Sequence, residues 1–72
     1  MVIFMQEFHI RLRDVRMEKK RTQKQTAEVL EMNLRSYQLY EQGKVEPSIK
    51  KLITLADFFD VSLDYLMGRT DS

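Results

Sequence analysis

Apolar residues recur along this chain at helical rather than strand spacing. Phe8, Leu12 and Val15 stand at i, i+4 and i+7 and predict a first amphipathic helix over about Met5–Lys19, with Phe4 and Met1 continuing the stripe backwards. Val2, Ile3 and Phe4 either lengthen that helix, form an apolar arm over 1–7 that packs on a second subunit, or fray. Lys20 and Arg21 end it without a glycine.

The stretch QKQTAEVLEMNLRSYQLYEQ, residues 23–42, reads as two short helices around a tight turn. Thr22 followed three residues later by Gln25 is a capping box, in which the hydroxyl accepts a backbone N–H and the amide reaches back to the cap. Ala27 and Leu30 give this helix a narrow apolar side. Glu31, Met32 and Asn33 interrupt the period, and Asn33 is a good N-cap for the next helix. On that helix Tyr37, Tyr40 and Glu41 share one face, and Arg35, Gln38, Leu39 and Gln42 share the other. One face packs and the other is offered outward.

Gly43 suits the left-handed residue that closes a helix, and Pro47 prevents its resumption, so KVEP is a loop. Ser48 caps a helix whose Ile49, Leu52, Ile53, Ala56 and Phe59 are expected to face the core, and Asp60 tolerates the turn that ends it. Ser62 caps a last short helix with Asp64 in its first turn and Leu63, Leu66 and Met67 on its apolar side; Gly68 closes it. The count is five helices and no run alternates strongly enough for a strand. The expected fold is an all-α, compact five-helix domain spanning 1–72.

With 72 residues there is room for one core. The absence of cysteine excludes a disulfide framework, a thiolate nucleophile and a cysteine zinc site. No apolar run approaches the length of a membrane span, and the opening MVIF lacks the basic flank and cleavage site of a signal peptide. A cytoplasmic protein with no membrane partner is expected. Catalysis has no support: His9, the single histidine, reads as a surface residue, and there is no Gly-rich phosphate loop or metal-ligand spacing. No catalytic residue, metal, cofactor or small-molecule ligand is expected.

The net charge of +1 hides an uneven distribution. Residues 11–24 carry Arg11, Arg13, Arg16, Lys19, Lys20, Arg21 and Lys24 against Asp14 and Glu18, a local excess of +5. This cluster beside the two-helix motif reads either as a phosphate-facing edge or as a solvated helix end that complements the helix dipole. A helix, a short turn and a second helix with a polar outer face have the outline of a helix-turn-helix, whose second helix is sized for a DNA major groove.

Beyond that outline, the stretches TQKQTAEVLEMN, SYQLYEQGKVEPS, LITLADFFDVSLDYL and MGRTD follow one another in an order and spacing that resembles the Cro and lambda-repressor type of helix-turn-helix domain. The form is the compact one common among XRE-type regulators of Gram-positive bacteria and their phages, and the resemblance covers residues 8–71. It implies a transcriptional regulator, expected to be a repressor, that binds double-stranded operator DNA as a homodimer on an inverted repeat. Carried over by position, Leu34, Arg35, Ser36, Gln38 and Leu39 would face bases, while Gln23, Lys24 and Lys44 would lie on the DNA backbone, Gln23 against phosphate or a base edge. Arg16 and Glu41 would form a buried pair that orients the recognition helix.

Within that set Arg35 can donate two bonds to guanine, and Gln38 can pair with adenine. Leu34 and Leu39 stand where related repressors often carry hydrogen-bonding side chains; they would touch a thymine methyl or mark a protein-contacting surface. The alternative function is accordingly a protein-interaction module or antitoxin-like component on the same scaffold. Four residues depart from the family pattern. Thr26 replaces a buried leucine, Lys20 a helix-ending glycine, Arg21 an apolar residue and Glu31 a frequent glycine.

Overall fold

The computed structural model describes residues 7–68. Five helices follow in order: α1 (Phe8–Glu18), α2 (Gln23–Val29), α3 (Leu34–Glu41), α4 (Ile49–Phe59) and α5 (Leu63–Leu66). The expected arm over 1–7 lies outside the described residues except for Glu7, which precedes α1. There are no strands among the described residues.

Each of the four later helices begins on the cap that its sequence supplies. Thr22 and Gln25 form both halves of the capping box, with Oγ1 of Thr22 accepting from the Gln25 N–H and Oε1 of Gln25 from the Thr22 N–H. Asn33, Ser48 and Ser62 accept from the N–H three residues on, at Ser36, Lys51 and Tyr65. Helix ends follow an equally regular rule. Lys20, Glu31, Gly43, Asp60 and Gly68 all have positive φ, between 57° and 79°. After the first four of these, the next N–H turns back to a carbonyl five residues earlier: Arg21 to Arg16, Met32 to Ala27, Lys44 to Leu39 and Val61 to Ala56. These are Schellman closures. Lys20, Glu31 and Asp60 adopt the left-handed conformation without glycine, each at a cost of about 1 kcal/mol. At Gly43 space is also tight, because a Cβ there would lie 3.0 Å from the His9 ring, which would have to give way slightly.

α2 and α3 pack on each other, α1 lies against α3 and α5, and α4 packs on α2 and α5. Phe8, Leu12 and Val15 of α1 meet Ala27, Leu30, Tyr37, Tyr40 and Leu66 in one buried cluster. α4 corrects the expected face. Ile49 and Ile53 are 65% and 48% exposed, whereas Leu55, absent from the expected set, is fully buried beside Leu52, Ala56 and Phe59. The buried set runs i, i+3, i+4, i+7; Ile49 and Ile53, themselves i and i+4, form a second apolar stripe. Periodicity alone does not rank two such stripes on one helix.

Two departures from the family pattern acquire structural reasons. Thr26 is fully buried but its hydroxyl donates to the Thr22 carbonyl at 2.9 Å, so no polar atom is left unpaired. The Arg21 guanidinium lies 5.3 Å from the centre of the Phe58 ring, covering apolar surface with its face rather than with an aliphatic side chain. We expect Leu55→Ala to lower unfolding free energy by about 2–5 kcal/mol and Ile53→Ala by about 0.5 kcal/mol or less, a contrast measurable by urea denaturation.

Candidate nucleic-acid interface

At the junction of α1, α2 and α3 the polar side chains converge on one carboxylate. Glu41, in the last turn of α3, is 5% exposed, and Arg16, near the end of α1, is 13% exposed. Nε of Arg16 donates to Oε2 of Glu41 at 2.6 Å and Nη2 donates to Oε1 at 3.2 Å. The third edge of the same guanidinium donates from Nη1 to the Arg21 carbonyl at 2.8 Å, fixing the turn into α2. The Tyr37 hydroxyl donates to Oε2 of Glu41 from one turn earlier on α3. Nε2 of Gln23 donates to Oε1 at 3.1 Å from the first turn of α2. Three helices are thus tied to a single acceptor.

These donors set the ionisation of the group. Burial alone would raise the Glu41 carboxyl, but the hydrogen bonds from Arg16, Tyr37 and Gln23 and the charge on Arg16 outweigh it, holding the carboxyl below the ordinary carboxylate value. Arg16 is raised by the same hydrogen bond, which it donates to Glu41, against the cost of its burial. The Tyr37 phenol is raised far above its usual range, first by burial and then by the carboxylate it donates to. Tyr37 therefore stays a donor.

Beyond the pair, the network reaches the surface. Oε1 of Gln23 accepts from Nε2 of Gln38 at 3.1 Å, and Arg13, Arg16, Gln23, Gln38, Glu41 and Gln42 line an open cleft of about 470 Å³. The outward face of α3 carries Leu34, which is 40% exposed, the exposed Arg35 and Gln42, and the half-buried Ser36, Gln38 and Leu39. Lys24 on α2 and Lys44 after Gly43 are exposed.

The structure therefore brings Gln23, Gln38, Arg16 and Glu41 into one hydrogen-bonded group, and leaves Arg35, Lys24 and Lys44 outside it. Both ends of the Gln23 amide are engaged within the protein, each by one hydrogen bond. The basic cluster divides. Arg16 belongs to the pair, Arg21 covers Phe58, and Arg11 spans α5, with its Nε donating to the Tyr65 carbonyl at 2.9 Å and its guanidinium 4.3 Å from the Tyr65 ring centre. Arg13 reaches the cleft. Arg13 and Gln42 are absent from the expected site residues; the available signal was their position three residues before Arg16 and one after Glu41.

Among known proteins, the model of the family described as Helix-turn-helix matches residues 12–66, from the middle of α1 to the end of α5. The chain belongs to the helix-turn-helix family. It is 43% identical over 61 residues to YobD of Bacillus subtilis, an uncharacterized HTH-type transcriptional regulator, covering 85% of this chain and 54% of that protein. It is 39% identical over 49 residues to RstR, a cryptic phage CTXphi transcriptional repressor of Vibrio cholerae, covering 68% and 44%. It is 33% identical over 61 residues to the HTH-type regulator ImmR of Bacillus subtilis, covering 85% and 48%. The chain spans about half the length of the curated relatives it matches. No solved structure matches it.

Within this helix-turn-helix domain the α1–α3 pair has a measurable signature. Because Glu41 is held below the ordinary value of 4.5 in the folded state, the unfolded chain binds its proton more readily. Its contribution is complete above that value and is lost as pH falls through and below it. We expect Glu41→Gln to be the less stable protein at neutral pH and the gap to narrow as the pH falls below that ordinary value, in denaturant titrations from neutral to acid pH. Arg16→Met, which strands the carboxylate, should cost about 3–5 kcal/mol at neutral pH.

Proposed function

We propose that this chain is a sequence-specific, DNA-binding transcriptional repressor that docks α3 in the major groove of operator DNA as a homodimer on an inverted repeat. The observation that carries this reading is the outward face of α3. Arg35 and Gln38, which match guanine and adenine edges, project from a helix that α1 and α2 hold at its C-terminal end through Glu41. Leu34 and Leu39 are assigned to thymine methyls and Ser36 to a base or phosphate. Arg13, Lys24 and Lys44 are assigned to phosphates, which fix register without reading sequence. The half-sites would lie about one helical turn apart, roughly 34 Å.

Support comes from the family and from its members, among which RstR is a transcriptional repressor. The protein would act by occupancy, without catalysis, in the cytoplasm. No helix among the described residues is long and apolar enough to cross a membrane. The domain over 1–72 would carry the DNA-reading part.

The exposure of Leu34 favours one other reading, in which this surface binds a partner chain, as in an antitoxin-like component. One experiment separates the two. Selection from a random duplex pool should enrich an inverted repeat, and Arg35→Ala should lose about 1–3 kcal/mol of discrimination per half-site at one base pair, roughly 5- to 150-fold. Lys24→Ala should weaken binding to all sequences alike and reduce the salt slope by about 1. An unenriched pool would reject DNA reading and leave the partner surface.

A further inference from the structure

The side of α1 that meets the end of α3 carries three nitrogen-bearing side chains in succession. His9, Arg13 and Arg16 stand at i, i+4 and i+7, one above another on the helix. Each meets a different residue at the close of α3. Arg16 holds Glu41, Arg13 shares the cleft with Gln42, and the His9 ring lies on Gly43. The single histidine of the chain thus stands at the edge of the candidate interface.

Its contact with Gly43 is made by the face of the imidazole. A Cβ at Gly43 would lie 3.0 Å from Cγ, 3.0 Å from Nδ1 and 3.1 Å from Cδ2 of His9, and only a position above the ring is so nearly equidistant from all three. Face contact leaves the ring edge open, where Nδ1 and Nε2 make their hydrogen bonds. Neither nitrogen has a hydrogen-bond or ion-pair partner among the described residues, and the side chain is half-exposed.

The charged and titratable groups around the ring are predominantly cationic or already engaged. On α1, Arg13 follows one turn later and the exposed Glu7 precedes the helix. On α3, the Glu41 carboxylate is taken up by Arg16, Tyr37 and Gln23, and burial keeps the Tyr40 phenol protonated. From the turn after Gly43 come Lys44 and Glu46, both exposed. An open imidazole edge between Arg13 and Lys44 suits an anion. A phosphate of the DNA backbone is the anion that docking of α3 brings to this side, because Gln38 and Gln42, one turn apart on the outward face of α3, line the same cleft as Arg13. Histidine differs from Arg and Lys in one respect: its charge comes and goes between about pH 5 and about pH 8, whereas theirs is constant there.

We propose that His9 is a proton-dependent phosphate contact, which in its protonated form joins Arg13 and Lys44 in holding DNA phosphate beside Gly43, so that binding takes up a proton and tightens in acid. This rests on the DNA-reading function proposed above and adds to it a response to pH carried within the domain itself. The neutral ring keeps one N–H donor, so the contact weakens at higher pH without vanishing. A phosphate contact carries no sequence preference, and the response is therefore the same on operator and on unrelated DNA.

The test is binding to the selected operator and to an unrelated duplex from about pH 5.5 to about pH 8, at several salt concentrations. Wild-type protein should bind both duplexes about 2- to 5-fold more tightly per protomer at the acid end, the range of one exposed ion pair. Its salt slope should be steeper there by about 0.9 per protomer. His9→Gln, which keeps a donor but gains no charge, should bind at the weaker level throughout. His9→Lys, charged across the range, should bind at the tighter level throughout, a result that a purely structural role of the ring on Gly43 does not produce. A His9→Gln protein that tightens in acid as wild type does overturns the inference and leaves DNA reading intact. So does wild-type binding indifferent to pH. A wild-type protein that binds neither duplex at any pH overturns both.

Discussion

The arrangement of this domain depends on where one carboxylate loses its water. Glu41 sits at the end of α3, where the helix dipole already disfavours negative charge, and it is buried. Such a group is tolerable only if its lone pairs are all taken, and donors from three helices take them. Arg16 supplies two from α1, Tyr37 one from α3 itself and Gln23 one from α2. The angle between helices is therefore not set by apolar packing alone. Leucine and alanine contacts tolerate sliding, but a guanidinium laid edge-on to a carboxylate does not.

A second constraint works through the backbone. A 72-residue chain must turn sharply between helices if the core is to close, and the left-handed residue after each helix does this in a single step. Only two of these five positions are glycine. The three others carry Lys20, Glu31 and Asp60, whose polar side chains remain exposed, so the conformational cost is accepted in exchange for side chains that stay solvated. At the α2 end the burden is lightened by Lys51, whose ammonium reaches back to the Leu30 carbonyl at 3.5 Å and binds a group that the terminated helix leaves open.

Much of this was legible from the residues. Caps are written locally: Thr22, Asn33, Ser48 and Ser62 act on an N–H three positions ahead, and the sequence places donor and acceptor in register. Gly43, Asp60 and Gly68 were legible as helix ends for the same reason. The Arg16–Glu41 pair spans 25 positions, and only the family resemblance pointed to it. What remained hidden was long-range and sidedness-dependent. Choosing Leu55 over Ile53 requires knowing which side of α4 meets α2 and α5, and a helix with two apolar stripes does not announce that. Arg11 and Arg21 read as free positive charge until Tyr65 and Phe58 are seen beneath them.

The same long-range character conceals the inner partners of Gln23 from the sequence. Its position at the start of α2 is exposed in outline, yet Glu41 and Gln38 both lie on α3, at separations of 18 and 15 residues, and claim the two ends of its amide. A glutamine in such a place joins two functions that are normally separate. On its inner side it completes the solvation of a buried charge, and on its outer side it presents an acceptor to a side chain on the exposed face. Electrostatic necessity in the interior thereby acquires a direction, and that direction is carried outward through neutral groups. The +1 net charge and dispersed basic residues would give a field with little preference for one sequence over another. The buried carboxylate reaches the exposed face of α3 through Gln23 and Gln38, whereas Arg35 stands outside that network.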